Sequence, residues 1–492
     1  MDGRKYIGHF FFRSDEVYKI RPQLHVRSLL NLYPISSNNS DMDSGRKEPT
    51  TVCHVVAIPY PGRGHVNPMM NLCKLLASQN SNVLITFVVT EEWLGFIGSE
   101  PKPDNVVFAT IPNVIPSELV RAAHMVAFFE ALMTKMEAPF DLLVDRLEPP
   151  PSLILGDTYL PWAVRVGNRR RIPAASFWPM SASVFSVFQH FHLLKENGHF
   201  PIDLSEKGND RVDYIPGVSS TPIQDFPPLM HGKTPTILRV VLEAFSWVPK
   251  AQYLLFSSIY ELETEVIDVL RSEFSLPIYT VGPLIPYFKA NDHLSNVDHS
   301  QWLDSQPCSS VLYISMGSFL SVSSAQMDEI AAGFHKSGVR FFWVARGDTG
   351  RLQEVCGDKG LVVPWCDQLS LLNHSCIGGF LTHCGWNSVK EGVSAGIPFL
   401  TFPLNIDQGM NGKAIVEDWK IGWRVKSTEA KIDHLVTSEE IAGLVKKFMD
   451  LEDGEGKDMR RRAREFQQIC HGAIAEGGSS ESNISTFISD IC

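Results

Sequence analysis

The chain has 492 residues, 44% hydrophobic and 20% charged, which suits two or three domains at roughly 150 residues each. Its 44 Lys and Arg against 55 Asp and Glu give a net charge of −11, which argues against nucleic acid or an anionic membrane as the main partner. No apolar run approaches the ~20 residues that cross a bilayer, and the composition excludes wholesale disorder, so a globular cytoplasmic protein is expected.

Residues 1–48 mix charges with the polar run SSNNSDMDSGRKEPT and show no amphipathic period, so a poorly ordered extension is expected, with Met42 a natural start for the compact protein. The DMD at 41–43 matches a metal–nucleotide pattern but follows no strand, and it reads as chance. The nine cysteines include no CxxC pair, which fits reduced thiols better than a disulfide framework. Cys366, His374, Cys376, His383 and Cys384 cluster along the chain, yet their spacing matches no zinc template, so no metal is expected.

From Cys53 onward, short apolar runs alternate with helical segments. Strands are predicted at 53–58, 83–89, 106–111, 152–155, 172–177 and 253–258. Continuous apolar strands separated by helices imply a parallel sheet covered on both faces. The first helix is predicted from Asn67 as N-cap and Pro68 at its first position, with Met69, Leu72, Cys73 and Leu76 on one stripe. The proline-bearing polar segment around 284–300 reads as an interdomain linker. A second series of strands is predicted at 311–316, 340–345, 360–364, 377–383, 398–402 and 421–425. Two doubly wound α/β domains facing a cleft follow, and their chemistry belongs at the carboxyl ends of the strands.

The first predicted strand runs into PYPGRGHVNP. Gly62 and Gly64 begin a dinucleotide fingerprint, but Asn67 stands where its third glycine belongs, which weakens an NAD reading. His65 lies at the mouth of the first helix, where the positive end of the dipole disfavours imidazolium. A neutral histidine there suits a general base, and a structural histidine in a tight turn fits equally. In IGGFLTHCGWNSVKEGVSAGIPFLTFP a strand ends at His383 and a helix starts at Asn387 or Ser388, offering unpaired N–H groups to an anion or a nucleotide diphosphate. Ser388 and Glu391 also make a capping-box pattern, and Trp386 reads more readily as core packing than as a ligand contact.

Residues 365–408, WCDQLSLLNHSCIGGFLTHCGWNSVKEGVSAGIPFLTFPLNIDQ, resemble the 44-residue signature of plant secondary-product UDP-glycosyltransferases. The similarity extends to PYPGRGHVNP, GDTYLPWA, VGPL, SMGSF and EGGSS, from residue 52 to the end. It implies a GT-B fold of two Rossmann-like domains: an acceptor domain over 49–283, the linker 284–300, a UDP-sugar domain over 301–470, and a C-terminal helix over 471–492 packing back on the first domain. The resemblance puts Trp365 on the uracil with the Cys366 backbone at its edge, and Gln368 and Glu391 at the ribose. It puts Ser318, His383, Asn387 and Ser388 at the diphosphate, and Trp386, Asp407 and Gln408 at the sugar. An aromatic face suits a base and carboxylates suit diols, although Asp407 also reads as a helix N-cap. Cys366-Asp367 departs from the family, which carries a small residue and a proline there.

His65 matches the family's general base and Asp157 its orienting acid. His65 would take the proton of an acceptor hydroxyl as it attacks the anomeric carbon, and Asp157 would hold the imidazole and stabilise its cation. The leaving UDP would gain its charge against a helix N-terminus and His383, so the resemblance implies inversion without a metal or other cofactor, the UDP-sugar being a co-substrate. Gln408 at the end of the signature goes with UDP-glucose. The acceptor is expected to be a small hydrophobic molecule. Phe128, Phe129, Phe177, Trp178, Phe185, Phe188 and Phe191 are candidates for its pocket, but their spacing favours core. A monomer is expected, with a catalytically silent nucleotide-sugar binder and an NAD-dependent oxidoreductase as rivals.

Overall fold

The computed structural model describes residues 52–121, 124–232, 234–285, 299–317, 322–345, 347, 349–425 and 435–492. The N-terminal extension with Met42, most of the expected linker (286–298) and the candidate diphosphate residue Ser318 lie outside the described residues.

Strands β1 Cys53–Ile58, β2 Val83–Thr90, β3 Val106–Ile111, β4 Leu153–Asp157 and β5 Ala174–Trp178 start the first sheet. After the two-residue pair β6 Arg211–Val212 and β7 Thr221–Pro222, strands β8 Tyr253–Phe256 and β9 Ile278–Thr280 complete it. Its order is β3-β2-β1-β4-β5-β8-β9, and every pairing is parallel. The second sheet holds β10 Val311–Ser315, β11 Arg340–Val344, β12 Gly360–Val363, β13 Ile377–Thr382, β14 Phe399–Thr401 and β15 Gly422–Arg424, ordered β12-β11-β10-β13-β14-β15 and again parallel throughout. All six residues of β1 and all six of β13 are buried, as strands covered by helices on both faces must be. Strand β9 escaped the sequence reading because IYT is only three residues long and abuts the proline-rich stretch.

In each sheet the strand order reverses beside the first strand of its series, between β1 and β4 and between β10 and β13. Such switch points open a crevice at the carboxyl ends of the strands.

Helix α1 spans Arg63–Gln79 with Gly62 as N-cap, which corrects the predicted start at Asn67 and Pro68. The first turn is closed by His65 and Val66 N–H groups, both donating to the Gly62 carbonyl at 2.9 Å, so Pro68 sits inside the helix.

The chain ends in two helices. Gly454–Ile474 packs Ala463, Cys470 and Ala473 into the core of the second sheet, whereas Ser479–Ile491 crosses back and packs Ile484, Phe487 and Ile488 against the first. The Asn483 amide donates to the Thr280 carbonyl on β9 at 3.0 Å. Cys53 on β1 and Cys492 at the C-terminus are joined in a disulfide, which corrects the expectation of reduced thiols for that pair; the other seven cysteines are free. Only the fold brings residues 439 positions apart together, and no spacing rule reports it. No described helix is long and apolar enough to cross a membrane.

Candidate active site

His65 reaches the first switch point from the third position of α1, and Asp157 ends β4 beside it. Their side chains meet with Nδ1 2.8 Å from Oδ2. The Asp157 carboxylate is fully enclosed and its Oδ1 accepts the Tyr159 backbone N–H at 3.0 Å, so it is held from both sides. A carboxylate on Nδ1 fixes the proton there and leaves Nε2 as the basic nitrogen. The rings of Tyr60 and Tyr159 lie 4.7 and 5.7 Å from the imidazole, and burial raises both phenols far above their usual range. Sequence reasoning missed both tyrosines, although each stands inside a motif singled out, PYPGRGH and GDTYLPWA.

The second switch point is built around His383. Gly317 and Gly385 flank its ring so closely that a Cβ on either would stand 2.5 Å from Nε2. Gly317 also has φ +83°, a backbone that favours glycine. His383 Nδ1 is buried without a hydrogen-bond partner, and burial pushes the imidazole down to about 4. It is therefore neutral at pH 7, with an N–H to donate. Cys384 follows with φ +67°, a conformation costly for a residue with a Cβ. The turn is fixed by Asn411, whose amide donates to the Cys384 carbonyl at 3.0 Å and to Asp407 Oδ2 at 2.8 Å.

The helix Trp386–Ser394 starts here with Gly385 as N-cap and no side chain capping it. The expected capping box of Ser388 and Glu391 does not form, because the helix begins two residues before Ser388. Instead the Gln368 amide donates to Glu391 at 2.7 Å and to Ser388 at 3.1 Å, and the Tyr313 hydroxyl donates to Gln368 Oε1 at 2.9 Å. Burial pushes the Glu391 carboxyl up to about 7. Trp365, three residues before Gln368 in the chain, is 59% exposed, an open aromatic face. Cys366 lies with its sulfur 3.8 Å from the Tyr313 hydroxyl, its thiol pushed up to about 12 by burial. Asp367, where the family has proline, caps the helix Gln368–Leu372 by accepting the Ser370 N–H at 3.1 Å.

Asp407 occupies an N-cap position but does not cap; its buried carboxyl faces the backbone N–H of Trp386 and the Asn411 amide, and burial lifts it to about 6. His65 stands across the cleft within electrostatic reach of it, which brings the two domains' candidate residues together. Gln408 spends its carbonyl on the N–H groups of Leu404 and Asn405 at 2.8 and 2.9 Å, leaving its NH2 as the free end. The Trp386 indole is buried and donates to the Ser257 carbonyl at 2.8 Å, so only its backbone faces Asp407. Lys390 reaches the Ser257 hydroxyl, and Arg424 grips Asp225 with two bonds of 2.9 Å, further bridges between the halves.

Of the candidate acceptor aromatics, Phe128, Phe177, Trp178, Phe185, Phe188 and Phe191 are buried in cores, and only Phe129 is partly open, 6.0 Å from Tyr60. A cavity of about 320 Å³ between Phe188, Phe191, Leu242 and Phe245 includes none of the residues around His65. Among the described residues no group of three or more His, Cys, Asp or Glu is placed to hold a metal ion.

The profile of the family described as UDP-glucoronosyl and UDP-glucosyl transferase matches residues 283–450. UDP-glycosyltransferase 87A1 of Arabidopsis thaliana is 53% identical over 88% of this chain and 99% of its own length, and UDP-glycosyltransferase 87A2 of the same plant is 51% identical over 92% and 99%. The fold superposes on Phytolacca americana UGT2 complexed with UDP-2fluoro-glucose and pterostilbene, with TM-score 0.77 and 26% identity over 90% of this chain and 100% of that one. Medicago truncatula UGT71G1 complexed with UDP-glucose gives TM-score 0.76 and 26% identity over 90% and 99%. With both switch points and both sheets accounted for, the chain belongs to the plant UDP-glycosyltransferases, glycosyltransferases of the GT-B fold.

Proposed function

We propose that the protein transfers a sugar, glucose by preference, from its UDP conjugate to a hydroxyl of a small hydrophobic acceptor with inversion at the anomeric carbon. The observation that carries this reading is the 2.8 Å contact between His65 and Asp157 at the first switch point, within electrostatic reach of Asp407 on the second domain. A protein that only held a nucleotide sugar would have no use for an imidazole fixed by an enclosed carboxylate.

In this reading the acceptor hydroxyl gives its proton to His65 Nε2 as its oxygen attacks, and Asp157 stabilises the imidazolium that forms. The C–O bond to UDP breaks on the opposite face, and the departing diphosphate gathers charge against the uncapped start of Trp386–Ser394, with Asn387 and Ser388, and the His383 N–H. The resemblance assigns Ser318 to the same diphosphate. Trp365 stacks on the uracil beside the Cys366 backbone, and Glu391 with Gln368 takes the ribose hydroxyls. Asp407, the free NH2 of Gln408 and the backbone of Trp386 take the sugar. The acceptor lies beside Tyr60, Phe129 and Tyr159, whose rings make an apolar wall next to His65. The solved relatives named above were complexed with UDP-sugars and, in one case, pterostilbene, which supports both donor class and acceptor chemistry.

Radiolabelled UDP-glucose, UDP-galactose and UDP-glucuronate, each offered with a panel of phenols and terpenoid alcohols, test the reading. Transfer from UDP-glucose ahead of the other two is expected. Clear preference for another donor contradicts the glucose assignment, and no transfer with any pair contradicts the activity.

A further inference from the structure

Pro68 has no backbone N–H, so the carbonyl of Gly64, four residues earlier in α1, lacks its intrahelical partner. That carbonyl is not left to water alone. The side-chain amide of Asn387, on the first turn of Trp386–Ser394 in the other domain, donates to it at 3.1 Å. Gly64 directly precedes His65, and the amides of His65 and Val66 close the same turn onto Gly62. One hydrogen bond therefore ties the turn that carries the imidazole to the helix start that faces the second switch point. Pro68 removes the N–H that would otherwise share this carbonyl within its own helix.

We propose that Asn387 is a positioning residue for His65, acting through the Gly64 carbonyl that Pro68 exposes. The proposal rests on the functional reading above for its consequence in turnover, and on geometry alone for the bond itself. It gives Asn387 a task separate from any contact with the donor diphosphate. Loss of donor contact raises the donor KM, whereas loss of the latch loosens the base and lowers kcat even at saturating donor. The two effects also respond differently to residue 68. Alanine there supplies an N–H to Gly64 and anchors the turn from within its own helix, so the imidazole no longer depends on the other domain.

The test is a double-mutant cycle of Asn387→Ala and Pro68→Ala, with kcat and donor KM measured for UDP-glucose and thermal midpoints recorded for all four proteins. Asn387→Ala is expected to lower kcat roughly two- to tenfold when Pro68 is present, the range for one neutral hydrogen bond. In the Pro68→Ala background the same change should lower kcat less than twofold, while its effect on donor KM stays the same. An equal kcat loss in both backgrounds overturns the proposal. Hydrogen exchange in the ligand-free protein reads the bond without any turnover. The amides of His65 and Val66 should exchange faster in Asn387→Ala than in the unmodified chain, and unchanged exchange overturns the latch. If the unmodified protein transfers no sugar, the functional reading fails instead, and the exchange comparison still decides the latch.

Discussion

Asp407 shows how a side chain's surroundings, more than its type, set what it can do. Its carboxyl is almost completely enclosed and is lifted from 3.8 to about 6 by burial, against the pull of the Asn411 amide. Between those values the folded protein keeps a proton that the unfolded chain has released, so stability falls as pH rises through this window. Asp407→Asn should remove that part of the slope, and thermal midpoints from pH 4 to 7 for the two proteins check it. Trp365 is the opposite case, a large apolar face left 59% exposed. If it stacks on uracil, Trp365→Ala should raise the donor KM by the equivalent of ~1–3 kcal/mol, as for other base–aromatic stacks, with little change in stability. An unchanged donor KM counts against that placement. The two residues differed in legibility. Sequence marked both, but nothing in it reported that Asp407 leaves its N-cap duty to serve Asn411 and Trp386, because that choice depends on a turn strained at Cys384.

At the level of elements, strands were legible and helix starts were not. CHVVAI carries its burial in its composition, and both it and VVFATI form strands over the residues expected. The start of α1 was misread because Asn67 and Pro68 make a good cap and first position on propensity. Gly62 wins because the turn onto its carbonyl brings His65 to Asp157, a tertiary gain that local preference does not contain. The capping box of Ser388 and Glu391 failed similarly: both side chains are engaged by Gln368 from another helix. The glycines around His383 show how tightly these elements close. A methyl at Gly385 would meet Nε2 at 2.5 Å, so Gly385→Ala should displace the imidazole at the roughly 1–3 kcal/mol typical of overpacking. A lowered thermal midpoint together with weaker UDP binding by calorimetry is the expected outcome, and unchanged UDP affinity would show that His383 does not face the diphosphate.

Across the whole molecule, the two sheets are bridged where the chemistry needs them aligned. Asp225 and Arg424 form a buried two-bond ion pair between the halves, with side-chain exposures of 5% and 13%. Breaking such a pair from one side strands the other charge, so Arg424→Met should cost about 3–5 kcal/mol, read as a fall in the thermal midpoint. Replacing both partners by apolar residues should cost much less. Long-range features of this kind were the least legible. The pairing of Cys53 with Cys492 and the reach of Asn387 to Gly64 each join residues hundreds of positions apart; the return of Ser479–Ile491 onto the first sheet's core was expected, but only from the family resemblance. The two-domain plan itself was legible, since its alternating pattern repeats along most of the chain.

The central claim is that His65, held by Asp157, removes the acceptor's proton. It is tested most directly by kcat for an aliphatic alcohol acceptor in His65→Ala and Asp157→Asn, with UDP affinity measured on the same proteins. The account predicts near-abolished transfer in the first and a loss of orders of magnitude in the second, with UDP affinity intact because the proposed UDP site is on the other domain. Near-normal kcat in both variants would contradict it and return His65 to a structural role.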